Sequence, residues 1–181
     1  MVFVTGGGSH YVKERIYKAS GIFRKYSFND SKKSWDMNKN LWKNTGRKLM
    51  YFDGSGTCTI LYDQASNILY RYISSSKSYK RVSNVIDKLN GSRYYFYDAN
   101  GNRRTSSGWK KVNGSTAYYV CDGGYVTSRY TDQKGTKKVY DFDYSKNTWV
   151  QKKNMWKTVY RSRYYFGSKG VATMSYNNST K

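Results

Sequence analysis

The chain contains an internal duplication, and this repeat constrains its fold more than any other feature of the sequence. When the sequence is shifted by 114 residues, residues 26–62 align with residues 140–176 without a gap, and 15 of the 37 pairs are identical. Chance matches between abundant tyrosines would not also keep Trp, Asn, Gly and Arg in register. A repeat of this kind indicates supersecondary units that bury their apolar surfaces together. The identical pairs include Trp35 and Trp149, Trp42 and Trp156, Asn40 and Asn154, and Gly56 and Gly170.

Two further copies are shorter. A shift of 70 residues places Tyr70 and Tyr79 on Tyr140 and Trp149, and another unit begins at Gly108. We therefore predict units 26–62, 70–107, 108–130 and 140–176 within a repeat-built region over residues 11–181. Residues 1–10, which include three successive glycines, are predicted to be a flexible tail.

The local pattern predicts strands rather than helices. An alternating segment from Tyr140 to Tyr144 precedes a polar turn over 145–148, as expected for a hairpin. Residues 82–89 show helical spacing of apolar side chains, but their alignment with residues 152–159 favours strand and loop. We predict an all-β fold of tandem aromatic β-hairpin repeats. They form either a β-solenoid-like array or two small β lobes related by the duplication.

The composition predicts a polyanionic partner. The 181 residues carry a formal net charge of +22, and the basic residues number 11, 10 and 12 in successive thirds of the chain. The charge thus belongs to the whole body, which suits a long polymer lying along an array. The 21 Tyr and 5 Trp favour pleated surfaces with sugar-like or base-like ligands. A highly soluble surface without a specific ligand is the alternative.

Catalytic patterns are absent from the sequence. It has no nucleophile-elbow motif, paired glutamates, metal-ligand cluster or phosphate-binding glycine loop. Asp141 and Asp143 lie two residues apart, but Ser27 and Asn29 replace them in the aligned copy. We predict no enzyme activity and no cofactor. No apolar run approaches the ~20 residues of a membrane span. Cys58 and Cys121 are either two thiols or one bridge.

Two segments carry a resemblance to known repeats. Residues 108–114 with Tyr118 and Tyr119, and residues 90–101 with their Tyr-Tyr-Phe and closing Asn-Gly, resemble the choline-binding and glucan-binding cell-wall repeats of Gram-positive surface proteins. The composition is also similar to the wall-anchoring regions of lactobacillus S-layer proteins. The resemblance implies stacked β-hairpins that attach a secreted protein to the cell wall without catalysis.

The chain departs from the choline-binding pattern at one position. Those repeats place a Trp before the Tyr pair to build a cation-π cage, whereas Arg93, Arg163 and Ala117 stand there in this chain. Arginine suits a phosphate instead. The predicted ligand is therefore an anionic wall polymer, teichoic or lipoteichoic acid. A wall glucan or polysaccharide, single-stranded nucleic acid and self-association in a surface lattice are the alternatives.

The predicted ligand contacts are aromatic and basic residues that recur between copies. Aromatic residues after polar turns provide a platform or pack in the core, and each Lys that follows a strand-initial Trp is expected to point outward while the Trp packs. Recurrent arginines and the tyrosines beside them complete the predicted site. The residues are Trp35, Trp149, Tyr79, Lys43, Lys110, Lys157, Arg47, Arg161, Arg93, Arg163, Tyr95 and Tyr165.

Overall fold

The computed structural model describes residues 2–5, 12–91 and 93–177, and these residues form strands, turns and loops without a helix. The all-β prediction is confirmed. The chain divides into two units: unit 1 comprises residues 1–82 and 100–102, and unit 2 comprises the remainder. Unit 1 contains residues 26–62 and unit 2 contains residues 140–176, the two copies that are related by the shift of 114 residues. The boundary at Val82 falls inside the predicted unit 70–107, whose strands divide between the two units.

Unit 1 contains two antiparallel sheets whose strands follow chain order. Val2–Thr5 lies within the predicted tail but forms a strand that pairs with residues 12–16; the rest of that predicted tail lies outside the described residues. The four-stranded sheet consists of β1 (Val2–Thr5), β2 (Val12–Ala19), β3 (Ile22–Asn29) and β4 (Ser34–Met37). The five-stranded sheet consists of β5 (Leu41–Asn44), β6 (Lys48–Phe52), β7 (Cys58–Asp63), β8 (Ile68–Ile73) and β9 (Ser78–Arg81).

Unit 2 contains three antiparallel sheets, again in chain order. The first consists of β10 (Val85–Lys88), β11 (Tyr94–Tyr97) and β12 (Arg103–Arg104). The second has five strands, β13 (Gly108–Val112), β14 (Ser115–Asp122), β15 (Tyr125–Gln133), β16 (Thr136–Asp143) and β17 (Thr148–Gln151). The third consists of β18 (Met155–Val159), β19 (Ser162–Phe166) and β20 (Ala172–Asn177). Strand β10 confirms the preference for strand over helix in residues 82–89.

Apolar side chains from successive sheets form the cores. In unit 1, Ile16 of β2 packs with Met50 and Phe52 of β6. In unit 2 both faces of the five-stranded sheet carry buried clusters: Tyr119 packs with Phe96 on one face, and Val139 packs with Phe166 on the other. A single hairpin could not bury either face, which is why the repeats fold together.

The duplication extends to the hydrogen-bonding register. Strands β2–β7 correspond to β15–β20: Phe28 opposes Trp35 as Phe142 opposes Trp149. A bulge lies at the same place in β6 and β19. Asn40 and Asn154 have φ values of 53° and 51°, a left-handed conformation that Asn tolerates better than most residues. The predicted hairpins are therefore present, with the same local structure in both copies.

The strand register of the third copy differs by one residue from the register that the sequence alignment predicts. The alignment places Val85 on Met155 and Tyr95 on Tyr165. In the structure Val85 opposes Tyr97, whereas Met155 opposes Phe166, so Tyr95 is the structural counterpart of Tyr164. Because side chains alternate along a strand, a slip of one residue moves each of them to the other face.

Candidate functional site

A groove of about 800 Å³ lies on one face of the five-stranded sheet in unit 2. The register places Tyr119, Arg129 and Tyr140 side by side across β14, β15 and β16, and directly paired residues project from the same face. Thr131 and Lys138 form the next pair on this face. The lining residues are Ser115, Thr116, Ala117, Tyr119, Arg129, Thr131, Gln133, Lys134, Thr136, Lys138 and Tyr140.

The groove is cationic and rich in hydrogen-bond donors. Arg129, Lys134 and Lys138 line it, and none of its described lining residues carries a carboxylate. Hydroxyl groups and the Gln133 amide surround these cations. Phosphate oxygens accept hydrogen bonds from groups of this kind: a guanidinium, two ammonium groups and neutral donors. The groove is therefore suited to a phosphate-bearing ligand.

The guanidinium of Arg129 is held between two aromatic rings. It lies 4.7 Å from the ring centroid of Tyr140 and 4.8 Å from that of Trp149. Its Nε is buried and has no hydrogen-bond partner among the described residues. The two ring faces thus replace part of the hydration that the cation loses.

Trp149, a predicted ligand contact, lines a second groove of about 410 Å³ beside the first. Its ring meets that of Phe142 edge-to-face, with 4.8 Å between centroids. Both grooves share Tyr119 and Arg129 in their linings. Trp149 is therefore both packed in the sheet and accessible from a groove, which combines the two roles that its position predicts.

Unit 1 repeats the arginine arrangement with a different neighbour. The guanidinium of Arg15 lies 5.2 Å from the Tyr26 ring and 4.3 Å from the Trp35 ring. Tyr17, which aligns with Thr131, stacks on Tyr26 with 5.5 Å between centroids. A tyrosine ring therefore stands at the position where unit 2 has only a threonine. Trp35, another predicted contact, lies beneath Arg15.

Lys43 and Lys157 are predicted ligand contacts, but each is paired with a carboxylate of its own unit. The Nζ of Lys43 donates to Glu14, and the Nζ of Lys157 donates to Asp141 over 3.1 Å. The orientation of Lys157 is the reverse of the expected one, because Trp156 is 40% exposed while Lys157 is half-buried. Alternation along β18 turns the lysine towards Asp141 and the tryptophan towards solvent.

The two carboxylates occupy exchanged positions. In unit 1 Glu14 opposes Ser27, whereas at the equivalent pair in unit 2 Ser128 opposes Asp141. A second lysine completes each cluster: Lys25, 3% exposed, donates to Glu14 over 2.7 Å, and in unit 2 the Nζ of Lys152 lies 3.6 Å from Asp141. Each unit thus keeps one carboxylate, one serine and two lysines in different order.

These contacts determine the ionisation of the two acids. Burial alone would raise the pKa of Asp141, but hydrogen bonds from Ser128 and Lys157 and the charge of the lysines lower it overall. Burial would also raise the pKa of Glu14. Hydrogen bonds from Lys25 and Lys43 outweigh this effect, so the pKa of Glu14 is lowered as well. Both acids are held as carboxylates. Asp141 is thus held by Ser128, Lys152 and Lys157.

Arg93 and Tyr95 lie in a second aromatic and basic cluster of unit 2. The Arg93 guanidinium lies 4.0 Å from the Tyr125 ring, and Tyr95 meets Tyr125 edge-to-face at 5.3 Å. A second guanidinium, that of Arg103, lies 5.0 Å from the centroid of the Tyr95 ring. A hollow of about 410 Å³, lined in part by Arg93 and Tyr125, opens beside the cluster.

Arg163 and Tyr165 both contact Trp156 on the outer face of the β18–β20 sheet. The Arg163 guanidinium lies 5.2 Å from the Trp156 ring, and the Tyr165 ring lies 5.5 Å from it. Arg161 lies in the adjacent turn, 5.2 Å from the Tyr160 ring. Tyr160 is 64% exposed and has a φ of 56°, where the other copy has Gly46. A bulky residue in the left-handed conformation is uncommon and strains the backbone.

The remaining predicted contacts lie apart from the grooves. The Tyr79 hydroxyl donates to the carbonyl of Cys58 over 2.7 Å, and its ring packs on the core of unit 1, which is the packing alternative. The Nζ of Lys110 lies 4.9 Å from the Phe96 ring. Arg47 is exposed in the turn between β5 and β6.

The two cysteines are free thiols. Cys58 is fully buried and donates a weak hydrogen bond to the carbonyl of Ile60. Burial raises the pKa of Cys58 to about 12. Of the two alternatives left open by the sequence, the structure has unbridged cysteines.

The sequence-based prediction did not include the groove residues Arg129, Lys134, Lys138 and Tyr140. The alignment at a shift of 114 residues does contain a signal for two of them, because it pairs Arg15 with Arg129 and Tyr26 with Tyr140. Lys138 aligns with another cation, Arg24, whereas Lys134 aligns with Ser20 and has no basic counterpart. Within the part of the chain that the structure describes, no three potential metal ligands cluster. The same residues include no helix that could cross a membrane.

Comparisons with known proteins give only distant similarities. No protein-family model matches the chain, and no curated protein matches it. Truncated alternansucrase from Leuconostoc mesenteroides NRRL B-1355 is similar to 68% of the chain at 17% identity and a TM-score of 0.32, over 8% of its own length. CbpJ from Streptococcus pneumoniae TIGR4 is similar to 83% of the chain at 19% identity and a TM-score of 0.26, over 56% of its length.

Choline binding protein F from Streptococcus pneumoniae is similar to 83% of the chain at 19% identity and a TM-score of 0.25, over 49% of its length. The chain thus spans less than two thirds of each of these three structures. The similarities are too weak to assign the chain to a family.

Proposed function

We propose that this chain is a non-catalytic module that holds an anionic cell-wall polymer, teichoic or lipoteichoic acid, on a Gram-positive surface. One observation carries the proposal: the groove of about 800 Å³ in unit 2 presents Arg129, Lys134 and Lys138 with no carboxylate among its described lining residues. A chain of phosphodiesters carries one negative charge per repeat and would find three cations along this groove.

The chemistry of the lining supports a phosphodiester over a neutral sugar. Arginine and lysine bind phosphate oxygens through charge-assisted hydrogen bonds, which are about twice as strong as neutral ones. Tyr140, which is half-buried, offers ring surface to the glycerol or sugar carbons between phosphates. The net charge of +22 would attract such a polymer and accelerate its association.

The other exposed clusters provide secondary contacts in this proposal. Arg93 stacks on Tyr125, and Arg163 stacks on Trp156. When the face of a guanidinium stacks on a ring, its N–H donors lie in the guanidinium plane and point away from its edge. Each cluster can therefore bind a further phosphate of the same polymer. Lys43 and Lys157 are instead assigned to the structural ion pairs described above.

Sedimentation with purified Gram-positive walls tests the proposal. Binding is measured before and after chemical removal of teichoic acid, and we expect retention only on the untreated walls. The Lys134→Gln/Lys138→Gln variant is expected to bind about tenfold more weakly, because it loses two charge-assisted contacts. Lys153→Gln/Lys169→Gln removes the same charge from exposed positions outside the groove lining and is the matched control.

The outcomes separate the proposal from its alternatives. Equal losses in the two variants would mean that binding depends on net charge and not on the groove. Undiminished retention on stripped walls would favour a neutral glucan or polysaccharide. Stronger binding to single-stranded DNA than to lipoteichoic acid, in competition at physiological salt, would favour a nucleic-acid ligand, whose bases could stack on exposed rings such as Tyr160.

A further inference from the structure

Each copy of the duplication builds an aromatic site for a cation and fills it with an arginine of the same chain. Arg15 lies over Tyr26 and Trp35, and Arg129 lies over Tyr140 and Trp149. Both Nε atoms are buried without a hydrogen-bond partner among the described residues. The ring faces therefore provide much of what holds each guanidinium in place.

We propose that Arg129 determines the charge of the ligand: Tyr140 and Trp149 form a site for an organic cation, and Arg129 occupies it so that the groove accepts an anion instead. This inference rests in part on the proposed function, because it names the residue that gives the groove its preference. Without the guanidinium, the same two rings would accept a quaternary ammonium or guanidinium ion from solution.

The position of Arg129 allows it to contact the rings and a ligand together. Stacking uses the face of the guanidinium, whereas its N–H donors lie in the plane and point outward from the edge. Arg129 lines both the 800 Å³ and the 410 Å³ grooves. Tyr119 lines both grooves as well and lies opposite Arg129 in the neighbouring strand.

The third copy shows that the hairpin does not require an arginine here. Tyr70 and Tyr79 align with Tyr140 and Trp149, and Leu61 opposes Tyr70 as Arg129 opposes Tyr140. Leu61, Tyr70 and Tyr79 pack in the core of unit 1. An aliphatic side chain therefore satisfies the fold at this position, and the arginine adds a property that packing alone does not need.

Two substitutions at position 129 separate packing from charge. Arg129→Ala removes the guanidinium and leaves space between the rings. Arg129→Leu introduces the residue of the third copy and fills that space. The probes are tetramethylammonium, followed by saturation-transfer NMR, and poly(glycerol phosphate), followed by calorimetry. Arg129→Ala combined with Trp149→Ala is the control, because it removes half of the aromatic site.

We expect Arg129→Ala to gain tetramethylammonium binding in the millimolar range and to lose about tenfold in polymer affinity. Arg129→Leu is expected to lose polymer affinity without gaining the cation, and the wild type is expected to bind only the polymer. The cation should also raise the Tm of Arg129→Ala but not of the wild type, since a ligand stabilises the folded state it binds. This second readout serves if the alanine variant is only marginally stable.

The two claims fail in distinguishable ways. Absence of both cation binding and a Tm increase in Arg129→Ala would overturn the inference. Unchanged polymer affinity in both variants would overturn the role of Arg129 at the anion. Failure of the wild type to bind poly(glycerol phosphate) would instead overturn the proposed function, while the gain of cation binding would still test the aromatic site.

Discussion

Replacing Asp141 by Asn tests whether the partly buried cluster of Asp141, Ser128, Lys152 and Lys157 stabilises unit 2. Asp141 accepts hydrogen bonds from Ser128 over 2.7 Å and from Lys157 over 3.1 Å, and its side chain is 33% exposed. Hydrogen bonds to a buried charged group contribute about 1.5–3 kcal/mol, and exposed ion pairs about 0–1 kcal/mol. For a group that is one-third exposed, we expect a loss of about 1–2 kcal/mol in the free energy of unfolding.

Urea unfolding followed by tryptophan fluorescence measures this loss. Asp36→Asn is the matched control, because Asp36 pairs with Lys32 at the surface over 3.7 Å and should cost less than about 0.5 kcal/mol. Combining Asp141→Ser with Ser128→Glu places the carboxylate and the serine as in unit 1, where Glu14 opposes Ser27. The double variant should recover at least half of the stability lost in Asp141→Ser. A double variant as unstable as the sum of its single changes would refute the idea that the cluster is interchangeable.

The effect should depend on pH with a definite sign. The pKa of Asp141 is lowered in the folded state, so its contribution is present above the unfolded-state pKa of about 4 and is lost as the pH falls through the folded pKa. The difference between wild type and Asp141→Asn should therefore shrink below pH ~4. A difference that stays constant or grows in acid would contradict the assigned ionisation.

Three further predictions concern single positions. Thr131→Tyr should block the groove and weaken polymer binding at least about tenfold while the Tm changes by less than about 2 °C, because unit 1 accommodates Tyr17 at the same place; a large Tm decrease would contradict this. Tyr160→Gly should stabilise the fold by up to about 1 kcal/mol in urea titrations, because Gly46 relieves the same left-handed turn; reduced stability would show that the Tyr160 ring outweighs the strain. The Cys58 thiol, buried and with a pKa raised to about 12, should react with maleimide only after denaturation, and rapid labelling of the native protein at that residue would contradict its burial.

The sequence predicted the hairpins well because two independent patterns agreed. Period-two alternation fixed the strands, and the duplication aligned Asn40 with Asn154 at a turn that requires the left-handed conformation. The register of the third copy was harder to predict. Its Tyr-Tyr-Phe segment matches that of β19, but the pairing of Val85 with Tyr97 differs by one residue, and an aromatic run gives no signal that distinguishes one register from the next.

The site was predicted less completely because its partners come from different strands. Lys157 was expected at the surface, yet Asp141 lies 16 residues away and meets it only through sheet packing. Arg93 and Tyr95, by contrast, are two residues apart in the chain and share Tyr125 as a neighbour. Lys134 gave no repeat signal, and only the folded sheet shows that Lys134 and Lys138 line a groove with Arg129.

Tyr17 stacks on Tyr26 in unit 1, whereas Thr131 stands at the equivalent position in unit 2, so the two copies share a backbone but differ at this surface. In our proposal the Tyr17 ring covers in unit 1 the surface that Thr131 leaves uncovered in unit 2, so one side chain, and not the number of repeats, determines the number of binding sites. Tyr17→Thr would then raise the stoichiometry of oligo(glycerol phosphate) from one site to two per chain, as counted by calorimetry. Unchanged stoichiometry in a folded Tyr17→Thr variant would mean that more than this ring separates the twins. A valency adjustable at one residue lets a repeat protein of constant length tune how tightly it adheres to a polymer.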